Sequence, residues 1–307
     1  MPSNESKQNS TLASQGEPLT IPLAHLSLSA IRYGLDDKPI ILACHGWLDN
    51  LNSFIPLADE FLRSDLAKHF QLITFDWPGH GLSSHRPGCY PLHWVDYVFD
   101  LDAIVNYLIP DPNQKIILLG HSLGGIVASA YNASFPERIT QLILIEALSP
   151  LFEDVNLNAS RLNRSFKQHR HLFNKPESNI TKGYASVDVV VKARQQLTGM
   201  DELWCRIIST RNLQFIDGLY YWRSDPRLKL DSAYRMTFEQ VDALMSQSET
   251  PTLLVLGHAG FKQLKLAQQQ ASIWFKRLQW QEIEGDHHLH MGNAAGLINL
   301  IRAFILK

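Results

Sequence analysis

Lys115-Ile116-Ile117-Leu118-Leu119-Gly120-His121-Ser122-Leu123-Gly124-Gly125 is the stretch on which the reading of this chain turns. Ile116 to Leu119 form a continuous apolar run, the pattern of a strand buried on both faces. The small-residue run from Gly124 to Tyr131 reads as a helix. Between them, Ser122 has a glycine two residues to either side, the Gly-x-Ser-x-Gly wording of a nucleophile elbow. Such a turn is tight enough to strain the serine backbone. It leaves the hydroxyl exposed above the sheet, and the glycines make room for the close strand–helix approach.

Working outward, apolar runs alternate with helical patterns, which implies a mostly parallel α/β sheet flanked by helices. Leu26 to Tyr33 has strand character. Pro39 to Cys44 ends at His45-Gly46-Trp47, and Phe70 to Phe75 ends at Asp76-Trp77-Pro78-Gly79-His80-Gly81. Gln141 to Ile145 ends at Glu146. Helices are expected over 54–67 and 95–108. The alternation then stops. Residues 150–245 read as a helical cap inserted after the sixth strand, with helical segments at 185–198 and 202–218. Thr237-x-x-Gln240 has the form of a capping box. A strand at 251–256, a helix over 262–275, a strand at 278–283 and a last helix over 293–305 complete the sheet. The division expected is a disordered tail over 1–17, a core over 18–149 and 246–307, and the cap between.

The chain has 307 residues, 45% of them apolar, which is enough for a sizeable core. Its net charge of -2, with both signs interspersed, gives no reason to expect nucleic acid as a partner. The first eighteen residues lack the basic flank and apolar centre of a signal peptide. No apolar run approaches the roughly 20 residues of a membrane span. Cys44, Cys89 and Cys205 have neither metal-ligand spacing nor an even disulfide count, so reduced thiols and a cytoplasmic location are expected. No cofactor and no metal is called for, and the oligomeric state is not legible.

A serine hydroxyl needs a base within hydrogen-bond reach and a carboxylate to orient that base. All must project from the carboxyl edge of the sheet, in the order Ser, acid, His. Glu284-Gly285-Asp286-His287-His288-Leu289-His290-Met291 lies between the last strand and the last helix, at that edge. Its wording selects His287 as base, with His288 the alternative and His290 a packing residue. The acid is harder to place. The loop after the strand at 251–256, where it commonly sits, reads Gly257-His258-Ala259-Gly260-Phe261 and holds no carboxylate. Glu146, at the end of the preceding core strand, is the candidate that replaces it. Failing that, a cap carboxylate such as Asp188 or Asp225, or water, would orient His287.

An oxyanion needs two preorganised N–H donors. The backbone of Leu123, after the nucleophile, and that of Trp47, in the loop after the strand at 39–44, are the expected pair. His45 and His121 are expected to make buried structural hydrogen bonds. Asp76 is expected to tie its glycine-rich turn by accepting backbone N–H groups.

Cys44-His45-Gly46-Trp47, Asp76-x-Pro78-Gly79-His80-Gly81-x-Ser83, Gly120-His121-Ser122-x-Gly124-Gly125 and Asp286-His287 together resemble the α/β-hydrolase superfamily over about residues 25–307. A closer resemblance, to serine hydrolase-like (Kraken-type) proteins, is carried by His45 to Asn50, His80 to His85, Arg223-Ser-Asp225-Pro-Arg227-Leu228 and His287-x-x-His290-Met291. The resemblance implies Ser122 as nucleophile, His287 as base, a cap over the site and esterase-like or lipase-like chemistry. The empty acid position after residue 256 departs from the commonest pattern of that superfamily.

The expected substrate is a small acyl compound, an ester or thioester, with Trp47, Trp222 and Arg223 in its pocket. Arg223 or Arg227 could clamp an anion, or the Arg–Asp set could dock the cap onto the core. Two alternatives stand beside ester hydrolysis. One is carbon–carbon bond hydrolysis or cofactor-free peroxidation on the same three residues. The other is a catalytically idle fold that binds a small molecule or a partner, an idea the empty acid position favours.

Overall fold

A computed structural model of the chain describes residues 16–174, 182–246 and 248–307. Its main sheet has eight strands in the order β1-β2-β4-β3-β5-β6-β9-β10. These are β1 (Glu17–Leu23), β2 (Leu26–Tyr33), β3 (Ile40–Cys44), β4 (Gln71–Phe75), β5 (Ile116–His121), β6 (Ile139–Ile145), β9 (Thr252–Gly257) and β10 (Leu278–Ile283). The pairs β1–β2 and β2–β4 are antiparallel, and every other pair is parallel. The continuous apolar runs are the central strands: every residue of β3, β4, β5 and β9 is buried. Side chains alternate across a strand, so one set meets each helical layer. Leu42, Leu118 and Leu144 pack in one core cluster and Ile41, Ile117 and Ile143 in the other.

The core helices are α1 (Ile55–Arg63), α2 (Trp94–Leu108), α3 (Leu123–Ser134), α7 (Phe238–Met245), α8 (Lys262–Leu266), α9 (Gln268–Trp274), α10 (Leu289–Gly292) and α11 (Ala294–Ile305). Between β6 and α7 lie the cap helices α4 (Asn158–Phe173), α5 (Val187–Thr198) and α6 (Glu202–Asn212), and a hairpin of β7 (Leu213–Ile216) and β8 (Leu219–Trp222). No described helix is long and apolar enough to cross a membrane.

Several expectations need correction. The disordered tail read over 1–17 lies outside the described residues up to Gln15, but Glu17 already pairs with Arg32 in β1. Pro18 and Pro22 obscured that strand, and both are tolerated because β1 is an edge. The single helix read over 202–218 stops at Asn212. Asp217 and Gly218, at φ +48° and +85°, turn the chain into the β7–β8 hairpin. Asp-Gly between two apolar runs favours that turn, because both central residues must have positive φ. The helix read over 262–275 is two helices meeting at Ala267. Finally α7, read as the end of the cap, buries Val241 and Met245 in the same cluster as Val127 and Tyr131 of α3.

Candidate active site

The loops after β3, β5, β6, β9 and β10 meet at the carboxyl edge of the sheet. β5 delivers Ser122, which has φ +50° and ψ -117° and opens α3. A β-carbon on Gly124 would stand 2.0 Å from the Cys44 carbonyl oxygen, so only glycine lets α3 approach β3 this closely. β6 ends one residue before Glu146, also at positive φ, +51°. The loop after β3 carries Leu48, at φ +58°. Residues other than glycine pay steric strain in this region, and such residues cluster at functional sites. Asp217 in the hairpin turn is the fourth of the kind among the described residues.

Glu146 is buried, 2% exposed, and its carboxylate is fully committed. Oε1 accepts the Gly257 N–H at 2.8 Å, and Oε2 accepts the Phe261 N–H at 3.0 Å. Oε2 also lies 3.3 Å from His287 Nδ1. A carboxylate oxygen can only accept there, so the geometry suits the Nδ1–H tautomer, in which the Nε2 lone pair is free. The Phe261 ring covers one face of the imidazole, with centroids 4.1 Å apart.

Glu146 fills the place where the sequence showed a gap. A β-carbon on Gly260 would fall 2.0 Å from Glu146 Oε1. Position 260 therefore has no room for a side chain while the carboxylate from β6 stands there. The cap carboxylates are engaged elsewhere: Asp188 with Arg206 at 2.7 Å and Asp225 with Arg227 at 2.6 Å.

Ser122 and His287 line one cavity of about 460 Å³, within the size range of small-molecule sites. Trp47 and Leu48 wall it from the core. Tyr184, Val190, Leu197 and Trp222 wall it from the cap. Trp47 is half exposed, and its indole N–H donates to the Leu228 carbonyl at 2.7 Å. Arg223 was expected here and is not among the lining residues. Its Nε donates to the Leu213 carbonyl at 3.0 Å, holding it against β7. Arg227 donates to the Gly88 carbonyl at 2.8 Å besides pairing with Asp225, whose own N–H reaches the Gly79 carbonyl at 2.8 Å. The Arg–Asp set thus docks the cap.

Sequence reasoning missed a second histidine–carboxylate pair. His288 Nε2 lies 3.3 Å from Asp49 Oδ2, and Asp49 also pairs with Arg194 of α5. All three line the cavity. Burial alone would raise the Asp49 carboxyl, but His288 and Arg194 hold it well below the ordinary carboxylate range. Only the contiguous Asp49-Asn50 in the sequence hinted at this, without naming a partner.

His45, His121 and His290 are buried supports. His45 accepts the Trp77 N–H at Nε2, at 3.0 Å. His121 Nε2 donates to the His287 carbonyl at 2.8 Å, and its Nδ1, with no hydrogen-bond partner among the described residues, stands 3.7 Å from Asp49 Oδ2. His290 is fully buried against His121, with ring centroids 4.0 Å apart. Asp76 accepts from Leu51 N at 2.9 Å and Leu82 N at 2.8 Å, and it pairs with Arg211 of α6.

Burial depresses His45 to about 4 and His80 to about 3. Both are therefore neutral in the fold at pH 7, while in the unfolded chain they protonate near 6.5. Between about pH 6.5 and pH 4 the unfolded state binds more protons, so stability present above 6.5 is lost as pH falls. His121 and His290, depressed in the same direction by burial, add to the effect. The melting temperature is accordingly expected to be lower at pH 5 than at pH 7.5. In variants with His45 or His80 replaced, that difference should shrink. An equal difference in the variants would show that other groups drive it.

The comparisons agree with this architecture. The family model described as "alpha/beta hydrolase fold" matches residues 39–170. A serine hydrolase-like protein of Danio rerio is 26% identical over 86% of this chain and 81% of its own length. A probable serine hydrolase of Drosophila melanogaster is 28% identical over 90% of this chain and 83% of its own. A crystal structure of a hypothetical protein from Pseudomonas aeruginosa PAO1 superposes with a TM-score of 0.83 at 29% identity, covering 95% of this chain and 100% of that one.

Proposed function

The chain belongs to the α/β-hydrolase superfamily, and from that premise we propose that it is a serine hydrolase acting on a carboxylic ester or thioester. The observation that carries the proposal is the Glu146–His287 pair, with Nδ1 and Oε2 3.3 Å apart, His287 lining the same cavity as Ser122 on its strained turn. In this reading His287 Nε2 takes the Ser122 proton as Oγ attacks the substrate carbonyl. In this reading the Oγ–Nε2 hydrogen bond forms as substrate seats, as catalytic hydrogen bonds commonly do on going from free enzyme to complex. Glu146 holds the ring in its Nδ1–H form and stabilises the imidazolium. The backbone N–H groups of Leu123 and Trp47 receive the negative oxygen. Collapse expels the alcohol or thiol with the proton from His287, leaving an acyl group on Ser122. Water, deprotonated by the same histidine, then releases the carboxylic acid. The apolar cavity walls support a small acyl compound as substrate.

The empty acid position favoured an idle fold. Glu146, seated where that acid would stand, supports the active reading instead. The test is labelling with a fluorophosphonate probe and turnover of p-nitrophenyl esters. Stoichiometric labelling at Ser122, absent from Ser122→Ala, is expected. Failure of the folded protein to label would end the serine-hydrolase reading.

A further inference from the structure

The loop from Trp47 to Asn52, which leads away from the expected oxyanion donor, is tied to the cap through nearly every residue. Trp47 Nε1 donates to the Leu228 carbonyl at 2.7 Å. The Leu48 carbonyl accepts from Arg194 Nη1 and from Asn212 Nδ2, each at 3.3 Å. The Asp49 carboxylate pairs with Arg194. Asn50 Nδ2 donates to the Ile208 carbonyl at 2.8 Å, and Asn52 Nδ2 to the Ile207 carbonyl at 3.1 Å. Leu51 is the exception, and its N–H is held by Asp76, itself paired with Arg211 of the cap.

These bonds converge on a strained point. Leu48, at φ +58°, has a conformation that a leucine leaves unless its surroundings over-determine it. From the core, its N–H donates to His80 Nε2 at 3.3 Å. On its other side the peptide oxygen has the two cap donors just named. Asn212 is further fixed from below, since its Oδ1 accepts the Gly81 N–H at 3.2 Å. The peptide between Leu48 and Asp49 is thus held at its oxygen by α5 and by the last residue of α6, while its N–H donates to the Gly46 carbonyl at 3.2 Å. That bond couples it to the Gly46–Trp47 peptide, which carries the N–H expected to face a developing oxyanion. A displacement of about 1 Å at such a donor can cost on the order of 10² in rate.

We propose that Arg194 and Asn212 are positioning residues for the oxyanion hole, so that the cap is a structural part of the catalytic apparatus as well as a wall of the pocket. The inference rests on the serine-hydrolase reading above. It concerns transition-state stabilisation only, because the nucleophile, base and acid all stand on core loops.

The test compares wild type with Arg194→Met, Asn212→Ala and Arg194→Lys, using p-nitrophenyl butyrate as substrate. Arg194→Lys keeps the charge opposite Asp49, but its donors sit on a single nitrogen and lack the fork that lets Nη2 reach Asp49 while Nη1 reaches the Leu48 carbonyl. Arg194→Met and Asn212→Ala are each expected to lower kcat by on the order of 10- to 100-fold, with little change in KM. Arg194→Lys is expected to lower it by a smaller factor. Affinity for a trifluoromethyl ketone, which forms an oxyanion adduct, should fall by the same factor as kcat/KM. Affinity for the product carboxylate should not change. A raised KM at unchanged kcat would make these residues substrate contacts and overturn the proposal. So would an unchanged kcat with a lowered melting temperature, which would mark a purely structural role. If wild type itself neither labels nor turns over ester, the parent reading fails first, and that outcome is visible before any variant is made.

Discussion

Replacing Glu146 by glutamine is expected to lower kcat by roughly 10²–10⁴-fold with the fold intact. The substitution changes little in volume, and the amide oxygen keeps an acceptor for one of the two N–H groups, Gly257 or Phe261, which bond different carboxylate oxygens. The amide, however, has no charge with which to stabilise a protonated His287. If its nitrogen turns toward the ring, it donates where it should accept, and the imidazole is driven to the wrong tautomer. KM should move little, since Glu146 does not line the cavity. Circular dichroism and the melting curve provide the control for folding, and steady-state kinetics with a p-nitrophenyl ester provide the rate. A rate within twofold of wild type would remove Glu146 from the catalytic set. A companion variant tests the shared volume directly. Gly260→Ala should collide with the carboxylate and reduce kcat although it adds one methyl group to a surface loop. Combining Glu146→Ala with Gly260→Asp vacates that volume and supplies an acid from β9, and it should turn over faster than Glu146→Ala alone.

The second large effect is on stability. Asp76→Ala is expected to cost about 3–5 kcal/mol of unfolding free energy, the range found when one partner of a buried ion pair is removed. Asp76 is 0% exposed. It accepts from Leu51, Leu82 and Arg211, so alanine would leave two backbone N–H groups without their acceptor and a largely buried guanidinium with only its bond to Ser29 Oγ. Because Arg211 belongs to the cap, the loss should appear in denaturant melts as a lower midpoint and as earlier exposure of the cap to protease. A cost below about 1 kcal/mol would mean that water replaces the carboxylate without penalty.

Much of the site was legible because its chemistry is local in sequence. The apolar runs fixed which strands are buried. Each site residue follows one of those runs directly: Ser122 after β5, Glu146 after β6 and His287 shortly after β10. Even the missing acid could be read as a gap. What could not be read depends on contacts across long stretches of chain. Arg194 and Asn212 lie more than a hundred residues from Leu48, and nothing in a helical segment announces that its arginine will find a particular carbonyl. Arg223 misled for the same reason, as a basic residue beside aromatics that turned toward β7. The β7–β8 hairpin was legible in principle through Asp217-Gly218, but a helical pattern upstream masked it. The edge strand β1 was hidden by two prolines that only its outer position allows.

The contest between Glu146 and Gly260 for one volume bears on how such a site can change over evolutionary time. In the proposed reading, a side chain at 260 and the carboxylate at 146 could not stand together without one of them moving. A change from an acid at one position to an acid at the other would therefore need both to alter, since a side chain at 260 meets Glu146 and loss of Glu146 leaves His287 without its carboxylate partner. Taken position by position, the loop after β9 shows no acid; taken as a pair, positions 146 and 260 show the carboxylate that faces His287.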